Sequence, residues 1–450
     1  MLSTRQEPEN KKVTFLTVVY TVLYWITQRF PYRGARFIDR GIIALLGNRF
    51  IGNILFFFST RSLKGGHIPE KICVLVDVNI GDAVMNQGIV SILRSFFPKA
   101  QIDYVIKKSA YSLIAGNPNI SSVYGVYTGA PVPNQGDISI INKLFCEVSY
   151  DIIFNFCPFI YKKSLTVSSK TAVVSFLGMI PLLMRRLRDN HVPAHMLCVE
   201  YQFIRHVCSY TGASENNNSD CKPSILISPQ AIQAADNFLK QNNISTMTPV
   251  IFINMDTSSR FTRIPLNIQT ILLKKIINLP GVILLGVGRL PKKIIRQVLN
   301  EFSQDQIKKI KVIFNTAHID TYAALIDRSD VYITGDTGPM HIAAAWKYTN
   351  SKAVTLRNKT AIFSIFGATP SRVYGYDSTK DGFYAANQDA ISKVYIGDNQ
   401  YRNIAYINKH DIVCDPSLFF RQLNVNKIVE DIRDVVCAPS NLIEKKGGDI

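Results

Sequence analysis

The chain has 450 residues, enough for roughly two to three domains of about 150 residues each, and 51 Lys and Arg against 33 Asp and Glu give a net charge of +18. With 47% hydrophobic and 19% charged residues, the composition excludes a disordered or fibrous chain. No uninterrupted apolar run reaches the roughly 18–20 residues of a spanning helix, which excludes a polytopic membrane protein, and the basic excess points to nucleic acid, phospholipid or a phosphorylated small molecule.

The charge is uneven. Residues 1–70 hold ten cations and four acids, a local excess of +6, interleaved with apolar runs at 13–26, 41–46 and 54–58. The first run, VTFLTVVYTVLYWI, is short and rich in Thr and Tyr for a membrane span. Lys11 and Lys12 before it resemble the start of a signal peptide, but the TQRFPYRGAR that follows offers no small-x-small cleavage site. An interfacial segment is expected, with aromatic side chains in the acyl boundary and Arg on lipid phosphates. The other reading is a helical extension packed on the main domain with its cations solvated.

From Lys71 the texture changes. KICVLVDV (71–78) is a β-branched run typical of a strand buried on both faces. NIGD follows, then a helical pattern over 83–98 that stops at Pro98. Strands are expected at 101–107, 121–127 and 151–156, and helices at about 195–212 and 227–243. The polar stretch SENNNSDCKPS (214–224) marks a break. The second half repeats the pattern, with strands expected at 249–255, 282–287 and 311–315 and helices at 266–278, 291–303 and 320–328. DVYITGD (330–336) empties into the helix TGPMHIAAAWK, AIFSIFG (361–367) is another buried strand, and NKIVEDIRDVV (426–436) is a closing helix. Two successive α/β units imply two doubly wound domains across a cleft, 71–245 and 246–450, after the extension 1–70. Neither half carries G-x-G-x-x-G after a strand, which argues against a dinucleotide enzyme. The eight cysteines are dispersed without a C-x-x-C pair, so no structural zinc site is expected. Cys73 and Cys157 read as small core residues, and a reducing cytosol suits this usage.

Two turns carry candidate chemistry. Asn79-Ile80-Gly81-Asp82 follows the first buried strand, where open α/β sheets bind ligands. Gly81 permits tight backbone geometry, and Asp82 is either a helix N-cap or a functional carboxylate. Gly335-Asp336-Thr337-Gly338-Pro339-Met340-His341 again joins a strand to a helix. Amides at Thr337 and Gly338 with the helix dipole form a phosphate site. His341 either touches phosphate or sugar oxygens or is satisfied locally, and Asp336 either binds sugar hydroxyls or caps.

These turns, within VLVDVNIGDAVMNQGIVSILRSFFPKAQIDYVI (74–106), GNPNISSVYGV (116–126), LIDRSDVYITGDTGPMHIAAAW (325–346) and FSIFGATP (363–370), make the sequence similar to glycosyltransferase family 9, the ADP-heptose–lipopolysaccharide heptosyltransferases, over about 71–437. The resemblance implies a GT-B fold, with the acceptor on the first Rossmann-like domain and the nucleotide-sugar on the second. It maps the catalytic base to Asp82, with Asn79 and Gly81 in the acceptor-side turn. Donor binding maps to Asp336, Thr337, Gly338 and His341, with ADP-heptose as the implied donor and no metal or other cofactor. The acceptor would be lipopolysaccharide or another surface glycan, lipid-linked, at the cytoplasmic face of a bacterial inner membrane. Nucleic acid is not an expected partner, since no recognisable module supports it.

The pattern also departs from the family. Where members carry Lys-x-Trp-Pro, the chain has Thr262 at the Lys position and Ile264 at the Trp position, leaving Arg260 or Arg263 to supply the cation, Arg263 preferred. Gly288 is followed by RLPKK instead of the acid that binds ribose in the family, and the connection between Ala345 and Ala361 is long. Alternatives therefore stand: another donor, a protein acceptor, or a catalytically silent GT-B binding partner.

Overall fold

The computed structural model describes residues 41–438 apart from 42–43, 61–62, 64–65, 77–78, 129–132, 158–159, 161–163, 190–193, 217–221, 258–261, 315–317, 349–354, 357–359, 368, 379–390 and 398–415. The apolar run at 13–26 and the candidate cation Arg260 lie outside the described residues.

Two parallel sheets dominate. The first has five strands: β1 (Lys71–Leu75), β2 (Gln101–Lys107), β3 (Ser122–Tyr127), β4 (Ile152–Asn155) and β5 (Ala172–Ser175), in the order β3-β2-β1-β4-β5. β1 is central, pairing Val74 with Tyr104 on one side and Phe154 on the other. Its β-branched run is buried after Lys71, as a strand covered on both faces requires. Cys73 and Cys157 are fully buried. After the short β6 (Ser224–Leu226), the second sheet uses β7 (Val250–Asn254), β8 (Val282–Gly286), β9 (Ile310–Ile313), β10 (Val331–Gly335), β13 (Ala361–Phe366) and β14 (Ser392–Ile396), in the order β14-β13-β10-β7-β8-β9. In each sheet the strand order reverses beside the first strand, so β1/β4 and β7/β10 are the switch points where ligands collect outside the carboxyl ends.

Two expected elements differ. The helix expected over 83–98 is two helices, Ile80–Met85 and Gln87–Phe96, meeting at Asn86. The side-chain amide of Asn86 donates to Glu200 Oε1 at 2.6 Å, and this buried tie anchors the junction. The helix after β10 ends at Ala344 because Ala345 is extended (φ −72°, ψ 151°). Trp346 and Lys347, read as helical, begin β11 (Trp346–Tyr348), which runs parallel to β6 and antiparallel to β12 (Thr355–Leu356). Lys347 is fully buried and donates to Ala343 O at 3.2 Å.

One continuous core joins the halves, since Val74, Ile89 and Tyr104 from the first cluster with Phe252, Tyr332, Met340 and Tyr376 from the second. Helices Pro229–Gln241 and Ile319–Asp327 also meet, with Arg328 Nε donating to Asp236 Oδ1 at 2.8 Å. Among the described residues no helix is long and apolar enough to cross a membrane.

Candidate active site

The Asp82 turn emerges from β1 at the first switch point. Asn79 is extended (φ −95°, ψ 149°) and occupies the N-cap position of helix Ile80–Met85, yet makes no side-chain cap bond. Its Nδ2 donates instead to Asp82 Oδ2 at 3.0 Å. Asp82 is therefore the third residue of the helix and not its N-cap. It is half-buried, and burial raises its pKa above the ordinary carboxylate value, with the Asn79 amide pulling the other way. Gly81 is helical, so its smallness serves close approach and not a strained turn. A Cβ there would lie 2.8 Å from His341 Cδ2 and 3.1 Å from the Gly338 Cα.

The second turn closes on the first. β10 ends at Gly335, and Thr337 (φ −148°, ψ 161°) opens helix Gly338–Ala344, with proline in its first turn and no side chain capping its start. The Thr337 hydroxyl faces Thr334 Oγ1 at 3.1 Å, and Asn254 Nδ2 donates to Thr334 Oγ1 at 3.2 Å. Tyr322 Oη in turn donates to Asn254 Oδ1 at 3.1 Å, so β7, β10 and helix Ile319–Asp327 share one polar network under the turn. Asp336 is half-buried, and its pKa is pushed up to about 6, chiefly by burial and also by the negative charge of Asp82, with the Thr369 hydroxyl opposing. His341 is 5% exposed, and its Nδ1 lies 2.9 Å from Tyr376 Oη. Burial lowers its pKa to about 4, leaving a neutral imidazole at pH 7.

Behind these residues is a layer that sequence reasoning missed. Glu200, on helix Met196–Tyr210, is 1% exposed, held by Asn86, and has Oε2 without a hydrogen-bond partner among the described residues. Burial raises its pKa well above the ordinary value, with the Asp82 charge adding to the effect. The His195 ring packs on Tyr376 with centroids 5.0 Å apart, and burial followed by His341 lowers its pKa to about 3. No local motif marks Glu200, His195 or Tyr376, because their partners lie far away in sequence.

On the second sheet, Arg263 Nη2 donates to Asp256 Oδ1 at 2.9 Å and to Thr257 O at 3.0 Å. Its buried Nε–H has no acceptor among the described residues. Asp256 Oδ2 also accepts the Arg289 N–H at 2.9 Å, packed under Gly288, whose φ is +52°. Sequence reasoning looked for an acid after Gly288; the acid present there, Asp256, comes from the end of β7. The only local signal was its place at a strand terminus. Thr262, at the position of the family Lys, is 6% exposed and donates to Thr257 Oγ1 at 3.0 Å, so it turns inward. A cavity of about 230 Å³ between Arg263, Ile264, Leu266, Leu290, Pro291 and Ile294 opens beyond β7 and β8. Among the described residues no three His, Cys, Asp or Glu side chains gather as a metal-ligand set.

No protein-family model and no curated protein matches the sequence. Solved structures do match. The chain is similar to the glycosyl transferase family 9 structure from Veillonella parvula, at 15% identity over 82% of this chain and 98% of that one, with a TM-score of 0.57. It is also similar to E. coli ADP-heptose lps heptosyltransferase II (14% identity, 83% and 99% covered, TM-score 0.49) and to E. coli heptosyltransferase WaaC with ADP (14%, 81% and 99%, TM-score 0.48). The two Rossmann-like sheets, their switch points and the likeness to the Veillonella structure together give this chain the GT-B fold.

Proposed function

We propose that the chain is an inverting glycosyltransferase that moves a heptose or related sugar from a nucleoside diphosphate, ADP-heptose first among candidates, to a lipid-linked surface glycan such as lipopolysaccharide. The observation that carries this reading is the contact of Gly81, next to Asp82 beyond β1, with Gly338, two residues past Asp336 beyond β10, which brings the carboxylates near enough for the Asp82 charge to raise the Asp336 pKa. One carboxylate from each sheet thus borders a single site. In this reading residues 71–245 hold the acceptor and 246–450 the donor, at the cytoplasmic face of the inner membrane.

Asp82 acts as the base. Its raised pKa brings it nearer that of an effective proton acceptor while leaving it ionised once the pH is well above that value. It takes the acceptor hydroxyl proton as that oxygen attacks the anomeric carbon opposite the diphosphate, through an oxocarbenium-like transition state. Charge then develops on the leaving diphosphate. In this reading the amides at the start of helix Gly338–Ala344 and the exposed part of the Arg263 guanidinium receive it. Asp336 accepts hydroxyls of the donor sugar. Asn79 aims Asp82, and Gly81 lets the two helices approach. His341 is buried and tied to Tyr376, so its part is to hold the Gly81 contact and reach the donor through Nε2.

A second reading, a silent GT-B binding partner, is favoured by one observation: Arg263, the candidate cation among the described residues, is already paired with Asp256. A thermal-shift screen of ADP-, UDP-, GDP- and CDP-sugars separates the two, because a ligand specific to the folded state raises the melting temperature by mass action. Stabilisation by one donor together with turnover that is lost in Asp82→Asn supports the enzyme. Binding without turnover on any glycan acceptor supports the partner.

A further inference from the structure

Helix Arg49–Thr60 is apolar on two sides. Inward, Phe56 packs edge-on against Phe203 and His206, with centroids 6.1 and 4.6 Å apart, beside two small residues: Gly52 sits on Pro181, where a Cβ would lie 3.1 Å from the proline Cβ, and Ser59 sits on Gly178. Ser59 and Thr60 are buried and return their hydroxyls to Leu55 O and Phe56 O of the same helix, at 2.7 and 2.8 Å. The solvent face is apolar as well. Phe50 is 73% exposed, Phe57 63%, Phe58 57% and Ile54 39%. These four positions recur at offsets of four, seven and eight residues, which places them on one stripe of an α-helix. Leu45, just upstream, is 55% exposed. Scattered apolar side chains on a surface are ordinary, but a continuous stripe of three phenylalanines and an isoleucine marks a surface that is covered in use.

The rim of the stripe is cationic. Arg49 is exposed at its head, and Arg188 is exposed at the end of the adjoining helix Ile180–Arg188. Residues 29–64 hold seven cations against the single acid Asp39. A second copy docking on the same face by two-fold symmetry would bring these cations against each other. An anionic surface satisfies both the stripe and its rim. We infer that helix Arg49–Thr60 lies flat on an anionic lipid bilayer, with Phe50, Ile54, Phe57 and Phe58 in the acyl boundary and the arginines on headgroup phosphates. This deepens the membrane partner proposed above, and its test needs no turnover, so its failure is distinguishable from failure of the glycosyltransferase reading.

The full chain is floated with vesicles of phosphatidylcholine alone and of phosphatidylcholine with phosphatidylglycerol. Wild type is expected to partition at least about tenfold more strongly to the anionic vesicles. Phe50→Ser/Phe57→Ser/Phe58→Ser is expected to lose at least about tenfold in partitioning with a melting temperature near that of wild type, since all three side chains are more than half exposed. A second variant guards against misfolding of the triple one: Phe57→Trp, against the background of Trp25 and Trp346, is expected to shift its emission to the blue on anionic vesicles only. Equal flotation of wild type and triple variant, absence of flotation, or absence of the blue shift overturns the inference. A dimeric wild type made monomeric by the triple substitution overturns it as well, in favour of self-association.

Discussion

Gly81 and Gly338 touch backbone to backbone. A Cβ on Gly338 would lie 3.1 Å from the Gly81 nitrogen, and one on Gly81 would lie 2.8 Å from the His341 ring. The helix that carries Asp82 and the helix that follows Asp336 are therefore held close together by two residues without side chains. Gly81→Ala must push the His341 helix away, and His341 has little room because Tyr376 holds its other side. The expected cost is about 1–3 kcal/mol of stability, the usual range for overpacking, together with a disproportionate loss of turnover as Asp82 and Asp336 separate. Chemical denaturation and steady-state kinetics on the same sample check both. Unchanged values would show that the contact is slack.

Asp82→Asn removes a proton acceptor and keeps the shape. Loss of a positioned base costs roughly 10²–10⁴-fold in rate, so kcat is expected to fall by that factor. The direction for stability is opposite. The fold penalises the charged form of Asp82 by burial, so a neutral amide is expected to leave the melting temperature at pH 8 equal to or above that of wild type. A variant that is inactive and no less stable separates a functional carboxylate from a structural one. Retained turnover removes Asp82 from the base role.

The pH dependence follows from three raised or lowered groups. Asp336 has its folded pKa raised to about 6, so its stabilising contribution is full below the unfolded value and is lost as the pH rises through about 6. Asp336→Asn is accordingly expected to raise the melting temperature at pH 8. His341 and His195 are lowered to about 4 and about 3, so their contribution is full above about 6.5 and is lost as the pH falls toward those values. Turnover is expected to climb through pH 6, not through the ordinary carboxylate range, because Asp336 and Asp82 must both be ionised. Thr369→Val removes the hydroxyl that holds Asp336 down and should move that limb to higher pH. An acid limb unmoved by this change would separate Asp336 from the rate.

The alternation of buried strands and amphipathic helices was legible because each parallel strand, covered on both faces, leaves an unbroken apolar run such as KICVL or VIFIN. β6 and β11 were not legible: each is three residues long and exists because it pairs with the other across more than a hundred positions. In the site, Asp82, Asp336 and Gly338 stood out because a strand end leads directly into a helix start. Asn86, Glu200, His195 and Tyr376 carry no such local mark, and their roles come from burial and partners that only the packed halves create. The inward turn of Thr262 and the hold of Asp256 on Arg263 likewise depend on side-chain geometry, which spacing does not encode.

Arg263 and Asp256 set the last expectation. The Asp256 carboxylate uses both oxygens, one on Arg263 Nη2 and one on the Arg289 N–H, each at 2.9 Å. That geometry fixes the guanidinium plane; its buried Nε–H has no acceptor among the described residues, while the side chain as a whole is 42% exposed. If Arg263 meets the donor diphosphate, Arg263→Ala removes a charge-assisted hydrogen bond of about 1.5–3 kcal/mol, and the donor KM should rise by roughly 10–100-fold with a smaller change in kcat. Arg263→Lys keeps the charge but loses the planar fork and should fall between the two. Asp256→Asn leaves the cation in place without its guide, so a rise in donor KM of a few-fold is expected, not the gain that simple release of a captive arginine would produce. Asp256→Asn with tighter donor binding would instead make the ion pair a restraint on the site. No change in any of the three variants would move the donor cation elsewhere, with Arg289 the next side chain to test.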